Sequence, residues 1–360
     1  MLPYLIFFCF FGLLAVLSNR RDYVGLDSSY NTSFNPLWWL LVFSLTLLIG
    51  LRFEVGGDWG SYLVYFEDVQ NGSFLELITL SSDIGYLFLN WISAKYNFGI
   101  YGVNIICGFI FSMGLATFCR SLPRPLLGFI CAIPYLIFVV AMGYSRQGVA
   151  LGLVMYGLTF LGKQMNLKFI VSILLAALFH KSAIVLLPIA VLASTQRRLV
   201  TLLMSFITAF LIYYSTSFVS SADRLIEYYI RNEYQSQGAL VRVIMLFIPS
   251  VIYLIWDHRF QMTQSEHKLW KIFSWLSIIF LLLLFISDAS TAIDRIALYL
   301  LPLQLIVFSY LPEIFGTRGE IRQWIVLFII IYFLLIMIIW FSFSPYAIYW
   351  LPYQSILFTS

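Results

Sequence analysis

LLGFICAIPYLIFVVAMGYSRQGVALGLVMYGLTFLG, residues 126–162, decides how the chain is read. Two apolar runs flank an arginine and a glutamine, Arg146 and Gln147, and each run approaches the ~20 residues that cross a bilayer as a helix. The whole chain shares this character. Of its 360 residues 61% are hydrophobic and 11% charged, with a mean hydropathy of +0.92. That composition belongs to a membrane-embedded protein, in which charge is scarce and each instance needs a reason.

Outward from this stretch, apolar runs recur from Met1 to the C-terminus, so the expected fold is all-α and polytopic, a single integral membrane domain over residues 1–360. Spans are expected at 1–18, 36–51, 99–119, 125–143, 147–162, 199–219, 240–256, 268–287, 294–311 and 321–343. With the segment 168–198 this makes about 10–12 transmembrane helices. The first run lacks a basic flank and a small-residue cleavage site, which predicts a retained span. DIGYLFLNWISAKYN, residues 83–97, is amphipathic and too short to cross, and reads as an interfacial helix in an outer loop over 52–98. A second outer loop is expected at 220–239. KFIVSILLAALFHKSAIVLLPIAVLASTQRR, residues 168–198, is basic at both ends and carries His180, Lys181 and Ser182 at its midpoint, so a hairpin of two half-helices is preferred to one crossing. Cys9, Cys107, Cys119 and Cys131 have no C-x-x-C spacing and read as lipid- or core-facing thiols.

Basic residues in short loops set the orientation. With the N-terminus outside, the cytoplasmic connections hold Arg20, Arg21, Arg120, Arg124, Lys163, Lys168, Arg197, Arg198, Arg259, Lys268, Lys271, Arg318 and Arg322. Most acids fall outside: Glu54, Asp58, Glu67, Asp68, Glu76, Asp83, Asp223, Glu227, Glu233, Asp288 and Asp294. Arg146, the stretch RFEVGGDWGSY (52–62), the tip FHKSA (179–183) and DASTAIDRIALYL (288–300) then all reach the outer leaflet. Ionisable groups at membrane depth usually face a cavity, an ion partner or an anionic ligand. Each also has a plainer reading. Arg146 snorkels at a helix end, Arg295 pairs with Asp294 or Asp288, His180 caps a half-helix, and Asp58 makes an Asx-turn within GGDWG.

Several chemistries have no motif here. There is no G-x-x-x-x-G-K-[ST] loop and no G-x-G-x-x-G, and GYSRQ ends in Gln147 where a nucleophile elbow needs glycine. No Asp-x-Asp pair or His-rich cluster offers a metal site, and the net charge of +4 reflects basic loops rather than nucleic-acid binding.

Four motifs in order, R-F-E-V-G-G-D-W-x-x-Y (52–62), S-R-Q-G-V-A (145–150), F-H-K-S-A followed by Pro188 (179–183) and D-R-I-A-L-Y (294–299), resemble the EpsG-like family of bacterial polysaccharide polymerases, related in role to Wzy O-antigen polymerases. The resemblance implies a multi-pass inner-membrane glycosyltransferase that polymerises undecaprenyl-pyrophosphate-linked oligosaccharide repeats at the periplasmic face, with no cofactor or metal and with a partner that controls chain length. In that reading Arg146 and Arg295, supported by Arg52, bind the pyrophosphate leaving group through charge-assisted hydrogen bonds. His180 or Asp58 takes the proton of the acceptor hydroxyl. Ser145, Gln147, Asp294, Tyr299 and Tyr62 support them. Two other classes fit the arginines: a transporter or flippase of lipid-linked glycans, whose charges should line a path through the bilayer, and a membrane acyltransferase using His180. The repeat-unit sugars, the linkage, its stereochemistry and the oligomeric state are not encoded in these motifs.

Overall fold

A computed structural model describes residues 1–18, 35–73, 83–193, 199–200, 202–203, 205–207, 210, 239–286 and 290–358. Arg20, Arg21, Glu76, Arg197, Arg198, Asp288, most of the span expected at 199–219 and the loop at 220–238 with Asp223, Glu227 and Glu233 lie outside the described residues.

Nine of the ten expected spans, all but 199–219, appear as helices, together with the first half of the segment 168–198. These are α1 (Leu2–Leu17), α2 (Pro36–Gly50), α5 (Gly99–Arg120), α6 (Pro125–Ala132), α7 (Ser145–Leu161), α8 (Asn166–Phe179), α10 (Ala239–Trp256), α11 (Gln264–Ile286), α13 (Pro302–Phe315) and α14 (Gly319–Phe343). The remaining helices are α3 (Trp59–Asn71), α4 (Ile84–Lys95), α9 (Leu187–Ala193) and α12 (Ser290–Ala297). Five helical stretches are long and apolar enough to cross a membrane, and α1, α2, α6 with its extension, and α8 are shorter apolar helices. No strand occurs among the described residues, so the protein is an all-α polytopic membrane protein. Local chemistry sets the helix ends. Asn35 Oδ1 accepts from Trp38 N at 3.1 Å while Pro36 takes the first position of α2, satisfying a free donor where proline has none to offer.

The centre of the bundle is the run that opened the sequence. After α6 the backbone widens into a π-helix, Ile133–Ala141, with Pro134 in its first turn, and every residue of α6 and of this segment except Pro125 is buried. Proline removes a donor and crowds the preceding turn, which a straight α-helix does not accommodate. Trp350 Nε1 donates to Phe138 O at 2.6 Å, so a tryptophan from the C-terminal segment completes the π-helix. Around this centre pack α1, α7, α13 and α14. Small residues let helices approach where lipid supplies no hydrophobic drive between them: a Cβ on Gly114 of α5 would collide with the Gly152 carbonyl of α7. Large apolar side chains on the outer helices, such as Phe285, Ile286, Phe328 and Phe343, are exposed, as expected of a surface facing hydrocarbon.

Two sequence readings are refined. The stretch 52–62, read as a short loop, enters helix α3 at Trp59, and α3 buries one face through Trp59, Tyr62, Phe66 and Val69. The segment 168–198 does break at His180, whose backbone is extended (φ −155°, ψ 111°). A 3₁₀ turn, Lys181–Leu186, then leads into α9, which packs on α8 and α11. One end of the bundle collects residues 51–73 and 83–98, the corner at 142–146, His180 and the C-terminal segment. At the other end Glu313 meets Arg124 at 2.9 Å and Arg322 at 3.7 Å.

Candidate functional site

At the end that gathers 51–73 and 83–98, a cleft of about 150 Å³ is built by five separate parts of the chain. Asp58 and Tyr62 come from the start of α3, and Tyr144, Arg146 and Gln147 from the corner leading into α7. His180 comes from the break after α8, Arg242 from α10, and Thr291, Asp294, Arg295 and Leu298 from α12 and the turn after it. Of the residues singled out in the sequence, Asp58, Tyr62, Arg146, Gln147, His180, Asp294 and Arg295 therefore share one cavity.

The π-helix ends at Ala141 and α7 begins at Ser145, so Arg146 stands in the first turn of a helix whose N-terminus meets the cleft. Arg146 Nη1 donates to Asp83 Oδ2 at 2.8 Å, and its guanidinium lies 5.8 Å from the ring centre of Tyr62 and 5.9 Å from that of Tyr86. Asp83 is buried. This is a clamped side chain rather than one snorkelling to bulk water: the carboxylate and the two ring faces hold the planar fork. Asp294, expected beside Arg295, instead pairs with Arg242 across from α10 at 2.5 Å. The Arg295 carbonyl accepts from Gln147 Nε2 at 2.9 Å, which ties α7 to α12.

Two acids line the cleft: Asp294, held by Arg242, and Asp58. Asp58 occupies the N-cap position of α3 without making a capping bond, so the Asx-turn reading does not describe it. Among the described residues its carboxylate has neither a hydrogen bond nor a salt bridge. Burial raises its pKa, and the positive charges of Arg146 and Arg295 partly oppose that rise. The preceding glycines bring it there. Gly56 has φ +111°, and a Cβ on it would strike the Met142 carbonyl, so only glycine lets the loop lie against the corner. Gly56 N donates to Tyr349 O at 2.8 Å.

Arg52 is the expected ligand-binding residue that lies apart from the cleft. It is 1% exposed. Its Nε donates to Val55 O at 3.1 Å, Nη1 to Ile49 O at 2.5 Å, and Nη2 to Ser145 Oγ at 2.7 Å and Asn104 Oδ1 at 3.4 Å. It caps the Ile49 carbonyl in the last turn of α2 and braces the residue next to Arg146. Ser145 is buried in that brace. Tyr299 is also buried; its hydroxyl is 3.1 Å from Ser182 Oγ, which is 2.6 Å from His180 Nδ1. His180 thus ends a half-helix, as the plain reading had it, and also lines the cleft.

Sequence reasoning passed over Arg242, Tyr144, Thr291 and Leu298 as site residues. The signal for Arg242 was present, since it is the one charge in the otherwise apolar helix ALVRVIMLFIPSVIYLIW. Its pairing with Asp294 joins segments 52 positions apart and has no sequence signature.

The fold and the cleft together define a polytopic helical membrane protein with an arginine-lined cavity at one end of its bundle. A model of the EpsG family matches residues 35–355, and the chain belongs to that family. Membership points to a role of the polysaccharide-polymerase type in a multi-pass membrane protein. No curated protein and no solved structure matches the chain.

Proposed function

We propose that the protein is a membrane glycosyltransferase that polymerises undecaprenyl-pyrophosphate-linked oligosaccharide repeats at the periplasmic face of the bacterial inner membrane. The observation that carries this reading is the meeting of Arg146, Arg242 and Arg295, from three distant helices, with Asp58 and His180 in one cleft. An acceptor sugar hydroxyl attacks the anomeric carbon of a lipid-linked donor, the bond from that carbon to the pyrophosphate oxygen breaks, and the hydroxyl proton passes to Asp58 or His180. Charge grows on the departing lipid pyrophosphate. Guanidinium groups already oriented by Asp83 and Asp294 bring positive charge to it, and pre-oriented charge of this kind lowers the barrier most. The clustering of these charges at one end supports a polymerase over a flippase, whose charges would follow a path through the bilayer. Arg52 and Ser145 position Arg146 in this scheme and do not touch the donor. The test is incubation of purified protein with a defined lipid-linked repeat. The expected products are a glycan ladder and free lipid pyrophosphate; unchanged substrate with folded protein would overturn the proposal.

A further inference from the structure

We infer that His180 faces the cleft as a hydrogen-bond donor, held in its Nε2–H form by a relay from Tyr299 through Ser182, and that Asp58 alone accepts the proton. The inference deepens the glycosyltransferase reading and rests on it for the identity of the reaction.

The relay follows from counting hydrogens. Ser182 Oγ lies 2.6 Å from His180 Nδ1 and 3.1 Å from the Tyr299 hydroxyl. Heavy-atom distances leave the direction of such a chain open, and the balance of donors decides it. Run from histidine to tyrosine, the chain has Nδ1–H donating to Ser182 and Ser182 donating to Tyr299. The phenol hydrogen of Tyr299 then lacks an acceptor, although the residue is 0% exposed and has no other hydrogen-bond partner among the described residues. Run the other way, Tyr299 donates to Ser182 and Ser182 donates to Nδ1, and the hydrogen left over is Nε2–H, on a partly exposed side chain that lines the cleft rather than on a sealed phenol. Burying an unsatisfied donor is the costlier choice, so the second direction prevails. Neutral imidazole carries one proton, and with Nδ1 accepting it must sit on Nε2.

Nε2 makes no hydrogen bond among the described residues, and His180 lines the cleft beside Arg146 and Arg295. In its Nε2–H form it supplies a neutral donor for a developing oxyanion and has no free lone pair to act as a base. Asp58 is complementary: an acceptor-only group when ionised, lining the same cleft, with no internal hydrogen bond to satisfy it. The proton of the attacking hydroxyl moves to Asp58, while His180 and the arginines face the oxygens of the departing pyrophosphate. Ser182 and Tyr299 are positioning residues.

Glutamine separates donor from base, because its amide places an N–H near the position of Nε2–H and has no useful basicity. With a defined lipid-linked repeat, His180→Gln is expected to keep kcat within about tenfold of the native protein, the worth of one imperfect hydrogen bond. His180→Ala should lose about 10²–10³-fold, and Asp58→Asn about 10²–10⁴-fold. His180→Gln as inactive as His180→Ala, or an active Asp58→Asn, would overturn the inference. Nitrogen-15 spectra of histidine-labelled protein in detergent give a readout independent of turnover, with His180 identified by its absence in His180→Gln. An unprotonated Nδ1 that becomes mixed in Tyr299→Phe is expected, and a protonated Nδ1 in the native protein would overturn the relay. Failure of the glycosyltransferase reading has a different mark, namely folded native protein that forms no glycan whatever the tautomer of His180.

Discussion

Replacing Arg146 tests the cleft most directly, and the structure separates two consequences that the sequence runs together. The sequence argues that Arg146→Ala removes little packing and so spares protein abundance. The structure adds a salt bridge, with Asp83 Oδ2 at 2.8 Å and Asp83 buried. The Arg146 side chain is 39% exposed. Solvent screens the pair, and its loss is expected to cost about 1–3 kcal/mol rather than the larger penalty of a fully enclosed one. In turnover, loss of a pre-oriented donor at the leaving group is worth about 3–4 kcal/mol, or roughly 10²–10³ in kcat. Arg146→Ala should therefore lower both abundance and glycan ladder. The double variant Asp83→Asn/Arg146→Ala separates them: removing the carboxylate's charge restores abundance, while the ladder remains absent. Arg146→Lys should retain partial activity, since the charge stays and the planar fork against Tyr62 and Tyr86 is lost. The assay is ladder length and rate in membranes matched for protein level. Long ladders from the double variant at native abundance would refute the role of Arg146 at the leaving group.

Arg242→Ala should reduce kcat by about 10²-fold, as removal of a second pre-oriented donor does, and a native ladder from this variant would take Arg242 out of the cleft chemistry. Burial raises the pKa of Asp58, so its ionised form weakens the fold. As pH falls through that raised pKa the carboxylate gains a proton and ceases to be a base, and kcat/KM should fall with a midpoint above the ordinary carboxylate value of about 3.9. An acid limb at or below that value contradicts the assignment. By the same sign, Asp58→Asn should abolish polymerisation without lowering the detergent melting temperature measured near neutral pH, and a marked drop would mean that the ionised carboxylate stabilises the fold. Gly56→Ala should destabilise by at least about 1–3 kcal/mol from the left-handed backbone alone, with added collision against Met142. Gly60→Ala, where a Cβ meets nothing within 4 Å, should be tolerated; equal melting temperatures for the two would refute the close approach of loop and corner.

How much of this was legible follows from how locally each feature is determined. Transfer of an apolar run from water to lipid depends on the run itself, so the helices at 36–51, 99–119 and 321–343 could be read from hydropathy and appear as Pro36–Gly50, Gly99–Arg120 and Gly319–Phe343. The break at His180 was readable for the same reason, because charge in the middle of an apolar segment has to emerge somewhere. Helix α3 was missed although Trp59, Tyr62, Phe66 and Val69 keep helical spacing, since the glycines before it read as a loop. What tertiary structure alone decided is which charge meets which. Asp294 stands next to Arg295 in the chain, yet successive helical residues point about 100° apart, and the packing of α10 against α12 delivers Arg242 to it instead. Arg52 shares a motif with Asp58, but turns inward to the end of α2 while Gly56 carries Asp58 into the cleft. A side chain's partner depends on the rotation and depth of the helices that carry both groups. Those are fixed by packing across the whole bundle, and a linear sequence records no angle between distant segments.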